Sequence, residues 1–322
     1  MKITVIGCGR WGSLITWYLA EKKGHDVTLY GMSHAPQMQR FLKERRNDLL
    51  VLPDSVRLST DIVASTADAE TIIISIGAQD LRGLMQEMVP LGLKNKTVVL
   101  CMKGLEATTG KRLSQVVSEH LDPSMKIAVW VGPGHVQEFY AGVPNCMVID
   151  SEDEDTKRWL VEEFSSELIR FYYGEDLIGS EIGAASKNVI GIAAGMLDGK
   201  GLSTLKGALM SRGTREIARL IAAMGGKELS AYGLCHLGDY EATVFSKFSH
   251  NRAFGEMFVK GEHFDALAEG YATSKAMVIL GRVYGVELPI CNAVYNILHE
   301  GADPDIELQN LFVRKIRNEF YL

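Results

Sequence analysis

The 322-residue sequence has few cysteines and no long apolar run, and no secretion signal is visible at its start; each shortage makes a class of protein unexpected. The five cysteines, an odd number, lie at positions 8, 101, 146, 235 and 291 without a CxxC spacing. This excludes a disulfide framework or zinc site, so we expect no metal and a reducing, cytoplasmic setting. Glycines at 7 and 9 and Arg10 interrupt the first apolar run. The longest apolar run, Val189–Leu197, is too short to span a bilayer.

Basic residues are also in deficit, with 34 Lys and Arg against 40 Asp and Glu, a net charge of −6. A chain without an overall positive charge lacks the footprint of a non-specific nucleic-acid binder, so no nucleic-acid partner is expected. Only 8 prolines are present, and 47% of the residues are hydrophobic, which leaves no room for a long disordered tail. The length favours two globular domains.

The first half alternates short apolar segments with amphipathic ones, and this rhythm predicts βαβ units in a doubly wound parallel sheet. The predicted strands are Ile3–Ile6, Val27–Tyr30, Thr71–Ile76, Thr97–Met102, Lys126–Val131, Cys146–Ile149 and an edge strand, Ile169–Tyr173. The predicted helices between them include Trp11–Lys23, Ala35–Arg45, Leu81–Met88 and Gly110–His120.

From about Glu181 onward the strand-like pattern gives way to helical periodicity, as in Thr214–Met224, Ser274–Tyr284 and Ile290–His299. We therefore predict an α/β domain over residues 1–180 and an all-helical domain over residues 181–322. The boundary is placed at Gly179–Glu181, whose residue types suit a helix cap.

A glycine fingerprint, Gly7-x-Gly9-x-x-Gly12, follows the first predicted strand and opens a predicted helix. In that context the glycines allow a tight turn and bring backbone N–H groups close to a pyrophosphate. The alternative is a plain glycine turn. NAD-binding proteins place an acidic residue after the second strand, but the sequence Tyr30–His34 contains none, nor an Arg for a 2′-phosphate. The choice between NAD and NADP stays open.

Lys187 is the only charged residue between Glu181 and Asp198. Its neighbours at helical spacing are small or apolar, namely Gly183, Ala184, Ile190 and Gly191. Most lysines are solvated surface groups. A partly desolvated lysine instead has a lowered pKa and can donate a proton to the alkoxide formed in a hydride-transfer reaction. Lys187 is therefore the candidate catalytic residue, with a surface lysine as the alternative.

Other polar residues fall at predicted turns: Lys103-Gly104, Gly132–His135, Gly238-Asp239 and Ser249–Arg252. Each has an ordinary explanation as a solvated loop or a helix cap. Together they supply cationic, amide and hydroxyl donors, which suit a small phosphorylated substrate.

The order of these motifs resembles the soluble NAD(P)-dependent glycerol-3-phosphate dehydrogenase family. The resemblance rests on GxGxWG at 7–12, KG at 103, GP at 132, ExGAxxKNV at 181–189, GD at 238 and SxNRxFG at 249–255. It extends through LMSRGTREIARL and LPICNAVYNILHEG in the second half. The family implies an N-terminal Rossmann domain, a helical C-terminal domain, a homodimer and a cytoplasmic enzyme. It also implies reversible reduction of dihydroxyacetone phosphate to sn-glycerol 3-phosphate for glycerophospholipid synthesis, with NAD or NADP as cofactor.

Matched residue by residue, the resemblance implies that Lys187 is the catalytic lysine. The implied cofactor-binding positions are Gly7, Gly9, Arg10, Trp11, Gly12, Met32, Lys103, Val136, His250 and Glu269. The implied substrate-binding positions are Lys103, Gly132, Gly134, Lys187, Asp239, Ser249, His250, Asn251 and Arg252.

Three of these positions depart from the family pattern. His250 and Met32 stand where an Arg is usual, and Gly134 where a Ser is usual. An imidazole lacks the bidentate fork of a guanidinium and most of its charge near neutral pH. Two alternatives therefore remain beside the family reaction: a reductase of another polyol or ketose phosphate, and an NAD(P)-binding sensor without activity.

Overall fold

The computed structural model describes residues 1–316 and 318–319, which divide into two compact units. The first unit contains residues 1–102 and 113–177, and the second contains residues 103–112 and the described residues from 178 onward. This division differs from the predicted one because the segment Lys103–Arg112 belongs to the helical unit.

The first unit is built from eight strands and seven α-helices of the described chain. The strands are β1 (Lys2–Ile6), β2 (Asp26–Tyr30), β3 (Arg57–Ser59), β4 (Thr71–Ile74), β5 (Thr97–Leu100), β6 (Lys126–Val131), β7 (Asn145–Ser151) and β8 (Ile169–Tyr173). The helices are α1 (Arg10–Trp17), α2 (Pro36–Glu44), α3 (Ile62–Ala67), α4 (Leu81–Met88), α5 (Leu113–Ser118), α6 (Val136–Tyr140) and α7 (Glu154–Phe164).

The strands form one sheet in the order β3-β2-β1-β4-β5-β6-β7-β8. Strand β4 is buried along its whole length, as expected of a β-branched strand covered on both faces. The sheet is parallel except between β6 and β7, which run antiparallel. The connection between those two strands contains only the five-residue α6. The chain returns antiparallel at this point, so the predicted parallel sheet is confirmed except for this one pair of strands.

The second unit is helical. Its helices are α8 (Leu177–Gly199), α9 (Lys206–Ala223), α10 (His250–Lys260), α11 (Glu269–Tyr284), α12 (Pro289–His299) and α13 (Pro304–Phe312). The core lies around α8, where Ile182, Val189 and Ile192 pack with Leu105 from the segment Lys103–Arg112. The predicted helix cap at Gly179–Glu181 is wrong, because α8 begins at Leu177 and Glu181 lies inside it, paired with Arg112 at 2.5 Å.

Glycines let the helices of this unit approach each other with no side chain between them. A Cβ on Gly195 of α8 would lie 1.9 Å from the carbonyl oxygen of Arg252 in α10, and one on Gly255 would lie 2.1 Å from that of Ile192. Likewise, a Cβ on Gly270 of α11 would lie 2.6 Å from the carbonyl oxygen of Asn188. The first turns of α10 and α11 therefore pack directly against the part of α8 that follows Lys187 in the sequence.

No helix among the described residues combines the length and apolar character needed to cross a membrane.

Candidate active site

The middle of α8 carries Lys187 into a cluster of charged residues in the second unit. The ammonium of Lys187 lies 2.7 Å from Oδ2 of Asp239, and the ammonium of Lys103 lies 2.8 Å from the same oxygen. Asp239 is 1% exposed and Lys187 6% exposed. One buried carboxylate therefore bridges two lysines and leaves a net positive charge, an arrangement suited to an anionic substrate or a developing alkoxide.

The other carboxylate oxygen of Asp239, Oδ1, is buried and accepts no hydrogen bond from any described residue. Buried carboxylate oxygens are nearly always satisfied, and one left unsatisfied inside a polar cluster points to a ligand that donates to it. A substrate hydroxyl meets this requirement, since it carries the proton that the oxygen lacks.

Burial lowers the pKa of Lys187 from 10.5 to about 8, and the neighbouring charge of Lys103 acts in the same direction. Asp239 opposes both effects by attracting the ammonium. A lysine whose pKa lies near neutral pH is able both to give up and to take back a proton under cellular conditions.

Thr243 and Asn188 hold this cluster in place, and the sequence reasoning assigned neither of them a site role. Lys187 donates a hydrogen bond to Oγ1 of Thr243 at 2.8 Å, and that hydroxyl donates to the carbonyl oxygen of Asp239 at 2.7 Å. The side-chain amide of Asn188 donates to the carbonyl oxygen of Lys103 at 2.7 Å. The adjacency of Asn188 to Lys187 was a usable signal. Thr243 lies 56 residues from Lys187, and nothing in the sequence indicated that the two side chains meet.

The predicted substrate residues at the start of α10 lie beside α8. A Cβ on Gly191, one turn after Lys187, would lie 3.4 Å from Cβ of Asn251. Asn251 accepts a hydrogen bond from the backbone N–H of Gly270 at 2.9 Å, next to Glu269 at the first position of α11. Ser249 caps α10 by accepting from the backbone N–H of Arg252.

Two predicted substrate residues at this helix, Arg252 and His250, make contacts that the sequence did not indicate. Arg252 pairs with Asp198 at 3.0 Å and with Glu256 at 2.8 Å, so both carboxylates share its charge. Nδ1 of His250 lies 3.3 Å from the carbonyl oxygen of Leu267.

The cofactor fingerprint lies in the first unit, between β1 and α1. Gly7 has φ +113°, a backbone conformation that favours glycine, and a Cβ on Gly12 would lie 1.9 Å from the carbonyl oxygen of Gly7. A Cβ on Gly9, by contrast, would meet nothing within 4 Å. The Gly7–Gly12 loop is therefore packed tightly at Gly7 and Gly12, while Gly9, just before α1, has free space beside it. The first helical turn of α1 contains no acidic residue. These features fit the pyrophosphate of a dinucleotide.

The remaining predicted cofactor positions of the first unit lie shortly after the C-terminal ends of β1, β2 and β6. Arg10 and Trp11 open α1, Met32 is exposed after β2, and buried Val136 opens α6. The Trp11 ring lies 6.0 Å from that of Phe139.

Gly132 and Gly134 follow β6 with φ of +130° and +139°. A Cβ on Gly134 would lie 2.2 Å from the Phe139 ring, so a serine at this position would collide with that ring and require a strained backbone.

The described residues contain no group of three or more His, Cys, Asp or Glu side chains arranged to hold a metal ion.

Two family models match the chain. The one described as NAD-dependent glycerol-3-phosphate dehydrogenase N-terminus matches residues 2–157, and the one described as its C-terminus matches residues 176–309. The chain is 37% identical to glycerol-3-phosphate dehydrogenase [NAD(P)+] of Prosthecochloris aestuarii, covering 99% of this chain and 100% of that protein. It is 35% identical to the enzyme of the same name from Chlorobium phaeobacteroides, covering 99% of each.

Among solved structures, the crystal structure of glycerol-3-phosphate dehydrogenase from Coxiella burnetii matches with a TM-score of 0.89 and 29% identity. The match covers 97% of this chain and 99% of that one.

Proposed function

The chain belongs to the NAD(P)-dependent glycerol-3-phosphate dehydrogenase family, and from this premise we propose that Lys187, Asp239 and Lys103 bind and protonate its substrate. The protein is an oxidoreductase that uses NAD or NADP and acts on a small phosphorylated polyol. Its reaction is the reversible reduction of dihydroxyacetone phosphate to sn-glycerol 3-phosphate. We assign that reaction to glycerophospholipid synthesis.

The observation that carries the residue assignment is the Asp239 carboxylate, which bridges two lysines through Oδ2 and leaves Oδ1 without a donor. In the proposed complex, Oδ1 accepts a hydrogen bond from a hydroxyl of the substrate. The lysine ammonium groups then face the ketone oxygen, where negative charge develops during reduction.

When bound, the nicotinamide cofactor supplies or takes up the hydride. In the reducing direction Lys187 gives its Nζ proton to the substrate oxygen and becomes a neutral amine. In the reverse direction the neutral amine takes the proton from the alcohol. Asp239 stabilises the protonated form of Lys187, and Lys103 and burial stabilise the neutral form, so both directions are accessible near pH 8.

For the substrate phosphate we propose the start of α10, with Ser249, His250, Asn251 and Arg252. The first turn of this eleven-residue helix contains no acidic residue, and its N-terminus favours an anion. For the cofactor we propose the Gly7–Gly12 turn with Trp11 and Val136 of the first unit. The proposal of Glu269 as a cofactor residue and of Gly132 as a substrate residue rests on the family resemblance alone.

The experiment is to follow nicotinamide absorbance with dihydroxyacetone phosphate, once with NADH and once with NADPH. We expect Lys187→Ala to lower turnover by at least about a hundredfold while leaving cofactor binding intact. Lys200→Ala, at an exposed lysine of the same unit paired with Asp305, is the matched control and keeps turnover. Near-normal turnover of Lys187→Ala would overturn the assignment.

We also infer a cytoplasmic homodimer. All five cysteines are free, and four of them are buried, which supports a reducing compartment. The dimer rests on the family resemblance. Sedimentation of the purified protein tests it, and a single species of monomer mass at micromolar concentration would contradict it.

A further inference from the structure

Two aromatic residues, His236 and Tyr240, flank Asp239 and have no part in the chemistry proposed above. His236 precedes the 3₁₀ turn Leu237–Asp239, and Tyr240 follows it. Both side chains are fully buried, and their rings lie 4.9 Å apart at an interplanar angle of 65°. Most polar side chains that are buried to this degree have their hydrogen bonds satisfied inside the protein.

A directed chain of hydrogen bonds passes through the pair. Nδ1 of His236 lies 2.9 Å from the carbonyl oxygen of Gly183, which is only an acceptor, so Nδ1 carries the proton. In the neutral imidazole Nε2 is then an acceptor, and it lies 2.8 Å from the hydroxyl of Tyr240, which donates to it. The Tyr240 oxygen in turn accepts from Thr214 at 3.5 Å.

This chain connects the Asp239 turn to two helices. Gly183 lies in α8 one turn before Lys187, and Thr214 lies in α9. A Cβ on Gly183 would lie 3.1 Å from Cβ of His236, so the missing side chain is what lets the imidazole approach the helix. The backbone N–H of Asp239 donates to the carbonyl oxygen of His236 at 3.0 Å. The turn is thus tied to the same helix that carries the catalytic lysine.

His236 keeps one hydrogen-bonding pattern over the whole working pH range. Burial lowers its pKa to about 4, and the charge of Lys187 contributes in the same direction. A protonated ring would have no acceptor for Tyr240 and would add a second cation behind Lys187.

We propose that His236 and Tyr240 are a positioning pair that fixes the Asp239 carboxylate against Lys187 and so sets the proton affinity of the catalytic lysine. This inference rests on the proposed role of Lys187 as proton donor. The charged groups that act on Lys187 are Asp239, which favours its protonated form, and Lys103, which opposes it. If the turn loosens, the attraction of Asp239 weakens while burial and Lys103 remain. Lys187 then loses its proton at lower pH.

The test is the pH dependence of dihydroxyacetone phosphate reduction by the full-length protein, from pH 6 to pH 10. We compare His236→Ala, which removes the hydrogen bonds of the imidazole to Gly183 and Tyr240, with Tyr240→Phe, which removes those of the hydroxyl to His236 and Thr214. A third variant, His236→Asn, has an amide that retains a donor near the Nδ1 position. His299→Ala is the matched control. His299 is a histidine of the same unit, at the end of α12, and its Nε2 lies 2.9 Å from Oγ of Ser274.

In His236→Ala we expect kcat to fall about ten- to a hundredfold. We also expect the basic limb of the profile to move to lower pH by about one unit. Tyr240→Phe should show a smaller shift, His236→Asn should recover part of the loss, and His299→Ala should match the parent. Cofactor affinity should not change. A purely structural role would lower the folded fraction, measured by circular dichroism, without moving the limb.

If the basic limb of the pH–rate profile lies at the same pH in His236→Ala, in Tyr240→Phe and in the parent protein, the proposed positioning role of His236 and Tyr240 is wrong. Since Tyr240→Phe retains the ring, it answers the question even if His236→Ala does not fold. The proposed function fails by a different result, namely turnover by Lys187→Ala.

Discussion

Replacing Lys187 by methionine should make the protein more stable at neutral pH while removing its activity. The buried ammonium has a pKa of about 8 in the folded chain and 10.5 when exposed. Below pH 8 the folded and unfolded chains both carry the proton, so the full cost of burying the charge is present. At about 1.4 kcal/mol for each pKa unit, that cost is about 3 kcal/mol.

Methionine has similar length and no charge, so Lys187→Met removes this cost. It leaves no unpaired charge behind, because Asp239 retains its ion pair with Lys103 at 2.8 Å. The gain depends on pH in a defined direction. Between pH 8 and 10.5 the unfolded chain holds the proton and the folded chain does not, so the parent protein recovers stability as the pH rises. At pH 10 the advantage of the variant should be below about 1 kcal/mol.

The assay is urea unfolding of both proteins at pH 7 and pH 10. Other groups that titrate over this range are common to both and cancel in the difference. Lys200→Met, at an exposed lysine that pairs with Asp305, should change stability by less than about 0.5 kcal/mol at either pH. Loss of stability at pH 7 in Lys187→Met, or an equal difference at both pH values, would refute the reasoning that burial lowers the pKa of Lys187.

Three further predictions concern the carboxylate and the glycines. Asp239→Asn removes the attraction that raises the pKa of Lys187, so the basic limb of ketone reduction should move to lower pH and KM should rise; rates from pH 6 to pH 10 measure both. In the Gly7–Gly12 turn, Gly12→Ala forces a Cβ to 1.9 Å from the carbonyl oxygen of Gly7 and should lower both thermal stability and NADH affinity. Gly9→Ala places its Cβ in open space and should lower NADH affinity alone. Fluorescence titration measures the affinity and thermal unfolding the stability, and an equal loss of thermal stability in the two variants would contradict this prediction. At the contact between α10 and α8, Gly255→Ala places a Cβ 2.1 Å from the carbonyl oxygen of Ile192 and should lower the free energy of unfolding by about 1–3 kcal/mol. Gly207→Ala in α9, whose Cβ would meet nothing within 4 Å, should raise the free energy of unfolding by about 0.5–1 kcal/mol in the same urea experiment.

Sequence patterns located most of the sheet because its strands are local apolar runs. Lys126–Val131 and Ile169–Tyr173 coincide with β6 and β8, and β8 lies at the edge of the sheet as predicted. Strand β3 was missed because its three residues are partly exposed and form no apolar run. Strand β7 was predicted, as Cys146–Ile149, but its antiparallel direction was not, because direction depends on the path of the chain before the strand and not on the strand's own residues.

The glycine fingerprint, the isolated lysine of α8 and the family are visible in the residues themselves, since each is a pattern within a few neighbouring positions. The contacts that make a site are not. Lys103 meets Asp239 across 136 residues, and Arg252 meets Asp198 rather than remaining an open cation. The obstruction that Phe139 presents to a side chain at Gly134, and the hydrogen bonds of His236 and Tyr240, likewise arise only when the chain is folded. Proton affinity depends on burial and on charges a few ångströms away. The amino-acid sequence alone is therefore enough to select Lys187 as the candidate catalytic residue, whereas its pKa depends on the packing around it.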